Sequence, residues 1–379
     1  MHRSTSSHRI VAWVGALSIM GTACSDLALP AQPEAGASND GGNVGDGGAL
    51  DDGGVLSDGG DAGPATLDCN ADTGVDHPVD LGCTGLYGDW AKKTISGDVI
   101  AYAPALELWA DGADKRRYIY LPPGKKIDTT DLNEWTFPVG TKIWKEFRLL
   151  GKPVETRYLA KLAPQIWFRT VYAWNDAGTE AVEAPYGVKN VRGLGYEIPA
   201  PEACATCHSG RKDFVLGFEI VGLSAAQATG LTMDQLMTKG LLTSNPASKP
   251  TIPGDALTVK AFGTMHANCG TSCHNRGPSS VGGANGLFLR LDVNALGAID
   301  ADRTQSDTWK TSVGVASTFQ PQGVPPGTFV RIRPHDAATS SIPFRAGKRD
   351  GTVQMPPLAT HLVDLDGLKA ISDWIASLP

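Results

Sequence analysis

Between residues 84 and 195 apolar and polar positions change over in short runs. Lys142-Ile143-Trp144-Lys145-Glu146-Phe147-Arg148-Leu149 alternates apolar and charged residues, as a half-buried strand does. Val154-Glu155-Thr156-Arg157-Tyr158-Leu159 and Ile166-Trp167-Phe168-Arg169-Thr170-Val171-Tyr172 repeat the theme. Tyr118-Ile119-Tyr120-Leu121 stops at Pro122-Pro123-Gly124, and Trp135-Thr136-Phe137 stops at Pro138-Val139-Gly140. Short strands separated by Gly/Pro turns predict a mostly-β, sandwich-like or barrel domain over 69–195. Trp135, Trp144, Trp167, Trp174, Tyr118 and Tyr120 read as its core rather than as a ligand groove. No catalytic constellation stands in this stretch.

The pattern changes after residue 195, and a multidomain chain ending in a mainly α region is predicted. Glu202-Ala203-Cys204 opens a helix after Pro199 and Pro201, and Phe214 to Ile220 is an apolar strand or loop. Met233 to Met237 sits in a short helix, and Pro246, Pro250 and Pro253 mark a linker that closes a unit over 196–255. Asp255 caps a helix from Ala256 to Ala267. A last helix over 364–378 sets Leu368, Ile371, Trp374, Ile375 and Leu378 on one face. These helices bound a second unit over 256–379.

The N-terminal stretch has no such period. Residues 25–68 are Asp/Gly-rich and cannot bury a core, so they read as a disordered tether. Their Asp/Gly spacing lacks the nonapeptide period of calcium-binding repeats. Nine of the chain's 40 acids fall there, and only two of its 33 bases precede residue 69. The formal charge of −7 therefore belongs to the tether, while residues 69–379 are neutral and carry no nucleic-acid footprint. His2, Arg3, His8 and Arg9 precede an apolar run from Ile10 to Met20, which reads as a signal peptide over 1–24. Gly21-Thr22-Ala23-Cys24 resembles a lipobox with Cys24 as the lipidated residue, although Gly21 stands where Leu is usual. An ordinary signal peptide cut nearby is the competing reading. Either way an exported protein is expected, on the cell surface or in the periplasm.

The seven cysteines then fall into place. Cys69 and Cys83 flank a short loop and are expected to pair in an oxidising compartment. Cys204-Ala205-Thr206-Cys207-His208 is the C-x-x-C-H pattern of covalent haem c attachment. Two thiols one helical turn apart add to the porphyrin vinyls, and the adjoining His208 faces the iron as proximal ligand. A disulfide or half of a zinc site is the plainer alternative. Cys269-Gly270-Thr271-Ser272-Cys273-His274 is a second motif with one extra residue, which must bulge out of the helical turn. A Cys269–Cys273 disulfide competes with haem there.

The layout of 256–379 resembles a class I cytochrome c. There a first helix carries the motif, a loop carries a methionine beside prolines, and a terminal helix packs across the first. The resemblance implies His274 as proximal and Met355, in Met355-Pro356-Pro357, as distal ligand. Residues 100–379 are also similar to a group of exported bacterial proteins that join a β-rich part to two cytochrome c-like motifs. The residues in common are Phe137-Pro138-Val139-Gly140 and Trp144-Lys145-Glu146-Phe147. That resemblance implies electron transfer through two haems; redox proteins are the expected partners, and a membrane is reached only through the lipid anchor at Cys24. His266, Met233 and Met237 are the candidate distal ligands of the first haem. With none of them bound, the first haem would be open, as in a dihaem peroxidase or oxidase. A β domain that binds a partner or polysaccharide is the third reading.

Overall fold

The computed structural model describes residues 67–70, 77–298, 302–358 and 360–379. The expected signal segment over 1–24, the lipidation at Cys24 and all but the last residues of the tether lie outside them. Two strands, β1 (Tyr87–Asp89) and β2 (Thr94–Ile95), form a small ribbon. Six strands follow: β3 (Ile100–Ala103), β4 (Asp114–Tyr120), β5 (Lys142–Leu149), β6 (Lys152–Ala163), β7 (Ile166–Trp174) and β8 (Ala181–Glu183). A second ribbon joins β9 (Val188–Val191) to β10 (Tyr196–Ile198). Strand β11 (Thr229–Gly230) returns to pair with β3 and completes a seven-stranded antiparallel sheet, in the order β11-β3-β4-β5-β6-β7-β8. Among the described residues no second large sheet faces it, so the expected sandwich is replaced by one sheet covered on both sides.

That double cover explains why the strand pattern is not a clean alternation. Trp144, Tyr158 and Tyr172 point to one face and bury against Leu81 and Leu86. Ile143 and Leu159, on the opposite face, pack with the residues after 196. Ile143 and Trp144 are neighbours in sequence and both are buried, as a strand between two layers requires. The first cover layer is pinned by a Cys69–Cys83 disulfide, with Cα atoms 5.3 Å apart. It is also pinned by the Trp144 indole N–H, which donates to Thr84 Oγ1 at 2.9 Å. Trp135, Trp144, Trp167 and Trp174 are all core residues.

Among the described residues eight short helices make the other layer: α1 (Cys204–His208), α2 (Ile220–Ser224), α3 (Met233–Thr238), α4 (Ala256–Met265), α5 (Val293–Ala298), α6 (Asp307–Ser312), α7 (Ser341–Ala346) and α8 (Leu365–Ser377). Asp255 Oδ1 caps α4 through the Thr258 N–H at 2.8 Å, and Asp364 caps α8 through the Gly367 N–H at 2.9 Å. Helix α8 packs across α4, where Phe262 meets Trp374 edge-on with ring centroids 5.2 Å apart. One hydrophobic cluster runs from Tyr102 and Ile143 of the sheet through Phe218 and Leu236 to Phe262 and Trp374. The divisions drawn at 195 and 255 therefore fall inside a shared core. No described helix is long and apolar enough to cross a membrane.

Candidate functional site

The first motif is itself a helix. A 3-10 turn at Pro201–Ala203 leads into α1, so Cys204 and Cys207 project one turn apart and His208 closes the element. The His208 ring is oriented by its own loop: Nδ1–H donates to the Phe214 carbonyl at 2.5 Å. This leaves Nε2 as the nitrogen with the free lone pair. Burial pulls the His208 pKa down to about 4, and the nearby Lys145, Arg157 and Arg169 charges add to that. The ring is thus neutral, as a metal ligand must be.

Phe214 holds a left-handed backbone (φ 64°), uncommon for a bulky residue, and the loop is fastened to keep it there. Its neighbour Asp213 forms a buried ion pair with Lys161 of β6, at 2.6 Å. Asp213 also accepts from the Phe137 N–H at 2.6 Å and the Trp167 indole at 3.2 Å, while Lys161 donates to the Phe137 carbonyl at 2.7 Å. The sheet therefore aims the carbonyl that aims His208.

The second motif absorbs its extra residue by widening the helix. Helix α4 continues as a π-helical turn over His266–Gly270. The Thr271 N–H reaches back to His266 O at 2.9 Å, and the His274 N–H to Cys269 O at 2.8 Å, each five residues apart. A fully α-helical turn would bring Cys273 one position out of phase. Burial, then the Arg345 charge, lowers the His274 pKa. Its ring lies so close to Gly282 that a Cβ there would meet Nδ1 at 2.7 Å. His274 Nδ1 is buried and has no hydrogen-bond partner of normal geometry.

The two motifs meet. Gly210, two residues after His208, lies against the Ser272 carbonyl so closely that any Cβ would collide with it. The Cys207 and Cys273 thiols influence each other, which raises the Cys207 pKa and lowers that of Cys273. All four motif cysteines are free thiols in the structure. Among the described residues no group of three or more His, Cys, Asp or Glu side chains is arranged to hold a metal ion.

One cavity of about 810 Å³ joins the motifs. Cys204, Cys207, His208, Cys269, Cys273, His274, His266 and Met355 all line it. Its volume falls in the range of cofactor sites. The Met355 loop is tied to α7 by the Met355 N–H, which donates to Arg345 O at 3.0 Å. It is tied to the β part by Asp111, which accepts the His361 and Leu362 N–H groups at 2.9 Å.

The other distal candidates fare differently. Met233 is fully buried in the core and Met237 packs against it; neither lines the cavity. His266 lines it, but its ring is engaged. Nδ1 accepts the Leu291 N–H at 3.0 Å, so Nε2 carries the proton and faces Glu219 at 3.6 Å. Burial works to raise the Glu219 pKa, yet His266 and the Val221 and Gly222 N–H groups outweigh it and hold it near 2.

Sequence reasoning missed the sheet's contribution to this cavity. Arg117, Lys145, Arg157 and Arg169 reach it from a domain in which no functional residue was expected. Their signal was the charged position recurring on strands whose neighbours are apolar. Comparison with known proteins returned no matching family model, no matching curated protein and no matching solved structure.

Proposed function

We propose that the chain is an exported c-type cytochrome that carries electrons through two covalently held haems, one at each motif. The observation that carries this reading is a single cavity lined by both thiol pairs, by His208 and His274, and by Met355. The His208 Nδ1–H bond to a backbone carbonyl is the arrangement a ligating imidazole requires. In this reading Cys204 and Cys207 anchor one macrocycle and Cys269 and Cys273 the other, while His208 and His274 are the proximal ligands. Met355 supplies a distal thioether beside the second motif. The haems supply a one-electron ferric/ferrous couple. The protein's part is to fix the ligands, keep both rings neutral and exclude water. The close approach of Gly210 to the Ser272 carbonyl brings the two motifs together, which suits passage of an electron from one site to the other.

A pyridine haemochrome assay with intact mass of the exported protein tests this. Two covalent haems per chain are expected. One haem restricts the reading to a single motif, and none rejects it.

A second reading has a specific observation in its favour. Met233 and Met237 lie away from the cavity and His266 Nε2 bears a proton aimed at Glu219, so none of the three expected distal candidates offers a free lone pair to the first motif. An open site there suits a peroxidase or oxidase. Reduced protein exposed to carbon monoxide is then expected to show a shifted Soret band for one haem of the two. An unchanged spectrum eliminates the open site and leaves the carrier.

A further inference from the structure

The sheet face that looks into the cavity carries an unbalanced row of cations. Arg117, Lys145 and Arg157 stand directly opposite one another on β4, β5 and β6, so their side chains leave the sheet on the same face. Arg169 of β7 joins them in lining the cavity. Two carboxylates offset part of this charge. Glu107 pairs with Arg117 at 3.0 Å, and Glu155 holds Arg157 through two bonds of 3.0 and 2.7 Å. Both carboxylates have other demands on them: Glu107 also meets Lys115 at 3.4 Å, and Glu155 accepts from the Tyr196 hydroxyl at 2.6 Å.

Among the described residues Lys145 and Arg169 have no carboxylate partner. The Lys145 ammonium lies 5.1 Å from the Phe147 ring centroid, and the Arg169 guanidinium 5.2 Å from that of Phe214. Like charges placed directly opposite on a sheet repel, and Lys145 and Arg169, half-buried on the cavity wall, have no opposite charge to offset that. Burial first, then the Arg117 charge, pushes the Lys145 pKa well below its ordinary value. Nothing in the packing of the strands calls for four cations here, since Ile119, Ile143 and Leu159 continue the same face as plain core. The row sits next to the first motif: Arg169 lies over the ring of Phe214, the residue whose carbonyl orients His208, and all four cations line the cavity together with Cys204 and His208.

We propose that Arg117, Lys145, Arg157 and Arg169 form an anion subsite of the cavity, beside the first motif, that takes a carboxylate or small oxyanion group. Two sources offer that chemistry. One is the pair of carboxylates on the first haem itself, which rests on the function proposed above. The other is a free anion that enters the cavity, which does not.

The test uses the full chain as exported, with formate as probe, and compares it with Lys145→Met. Calorimetric binding of formate that weakens by about tenfold or more in Lys145→Met, as loss of one partner of a desolvated charge pair does, establishes a site for free anions. No formate binding to the parent, together with a lower reduction potential of one haem in Lys145→Met that Lys145→Arg restores, assigns the row to the haem carboxylates. The direction follows because removing a cation beside the macrocycle favours the ferric form. If Lys145→Met changes neither formate binding nor either potential, the subsite is wrong. Should Lys145→Met fail to fold, Arg169→Gln gives the same readings. A parent chain that carries no haem overturns the proposed function while leaving the formate result to decide the subsite.

Discussion

Replacing Cys204 and Cys207 together with alanine is expected to remove one covalent haem of the two, and replacing Cys269 and Cys273 the other. Each loss is all-or-none because thioether attachment needs the thiols themselves. Intact mass reads the result directly. The second pair is the sharper case, because its three-residue spacing departs from the common motif. The π turn over His266–Gly270 gives Cys269 and Cys273 access to the same cavity that Cys204 and Cys207 line. The extra residue is thus taken up in the backbone and does not displace a thiol. If Cys269→Ala/Cys273→Ala leaves the haem count unchanged, the second motif holds no haem and Met355 has no iron to serve.

Asp213→Ala is expected to cost about 3–5 kcal/mol of stability, because it leaves the Lys161 ammonium buried and unpaired. The two side chains are 2 % and 1 % exposed, so water cannot replace the lost partner. Asp213 also anchors the Phe137 N–H and the Trp167 indole, and it immediately precedes the residue whose carbonyl orients His208. The substitution should therefore do two things that separate in experiment. Denaturant unfolding reports the stability loss, and the spectrum of the first haem reports the loosened proximal ring. Converting the pair to Lys161→Met/Asp213→Leu is expected to recover most of the stability, since an apolar pair of similar size carries no buried charge. If Asp213→Ala unfolds at the same denaturant concentration as the parent, the ion pair is not what fastens this loop.

Several features of the fold were legible along the chain because they depend on local rules. Strands β4 to β7 announce themselves through turn residues at their ends and short apolar runs. Asp255 and Asp364 mark helix starts because a carboxylate beside free N–H groups is satisfied locally. The stripe on α8 follows from its 3.6-residue period: Ile371, Trp374, Ile375 and Leu378 are buried and Leu368 is half-buried. The sandwich was not formed, because the same strand pattern suits any sheet with two covered faces. What supplied the second cover was a helical layer that contributes β11 to the sheet edge and so shares its core.

The candidate site divides in the same way. The sequence by itself determined the chemistry at hand: two thiol pairs each followed by histidine, a methionine beside prolines, and the one-residue excess that a π turn accommodates. Those are properties of neighbours along the chain, and the covalent geometry of a helical turn sets them. Only the tertiary structure decided that both motifs open on one cavity, that Gly210 lets them touch, and that Met233 and Met237 face the core instead. It also decided that Arg117, Lys145 and Arg157 stand in a row. A cross-strand row depends on the register of three strands, and a cavity wall depends on which face the helices cover. Both are settled by long-range packing, which no local pattern of residues records.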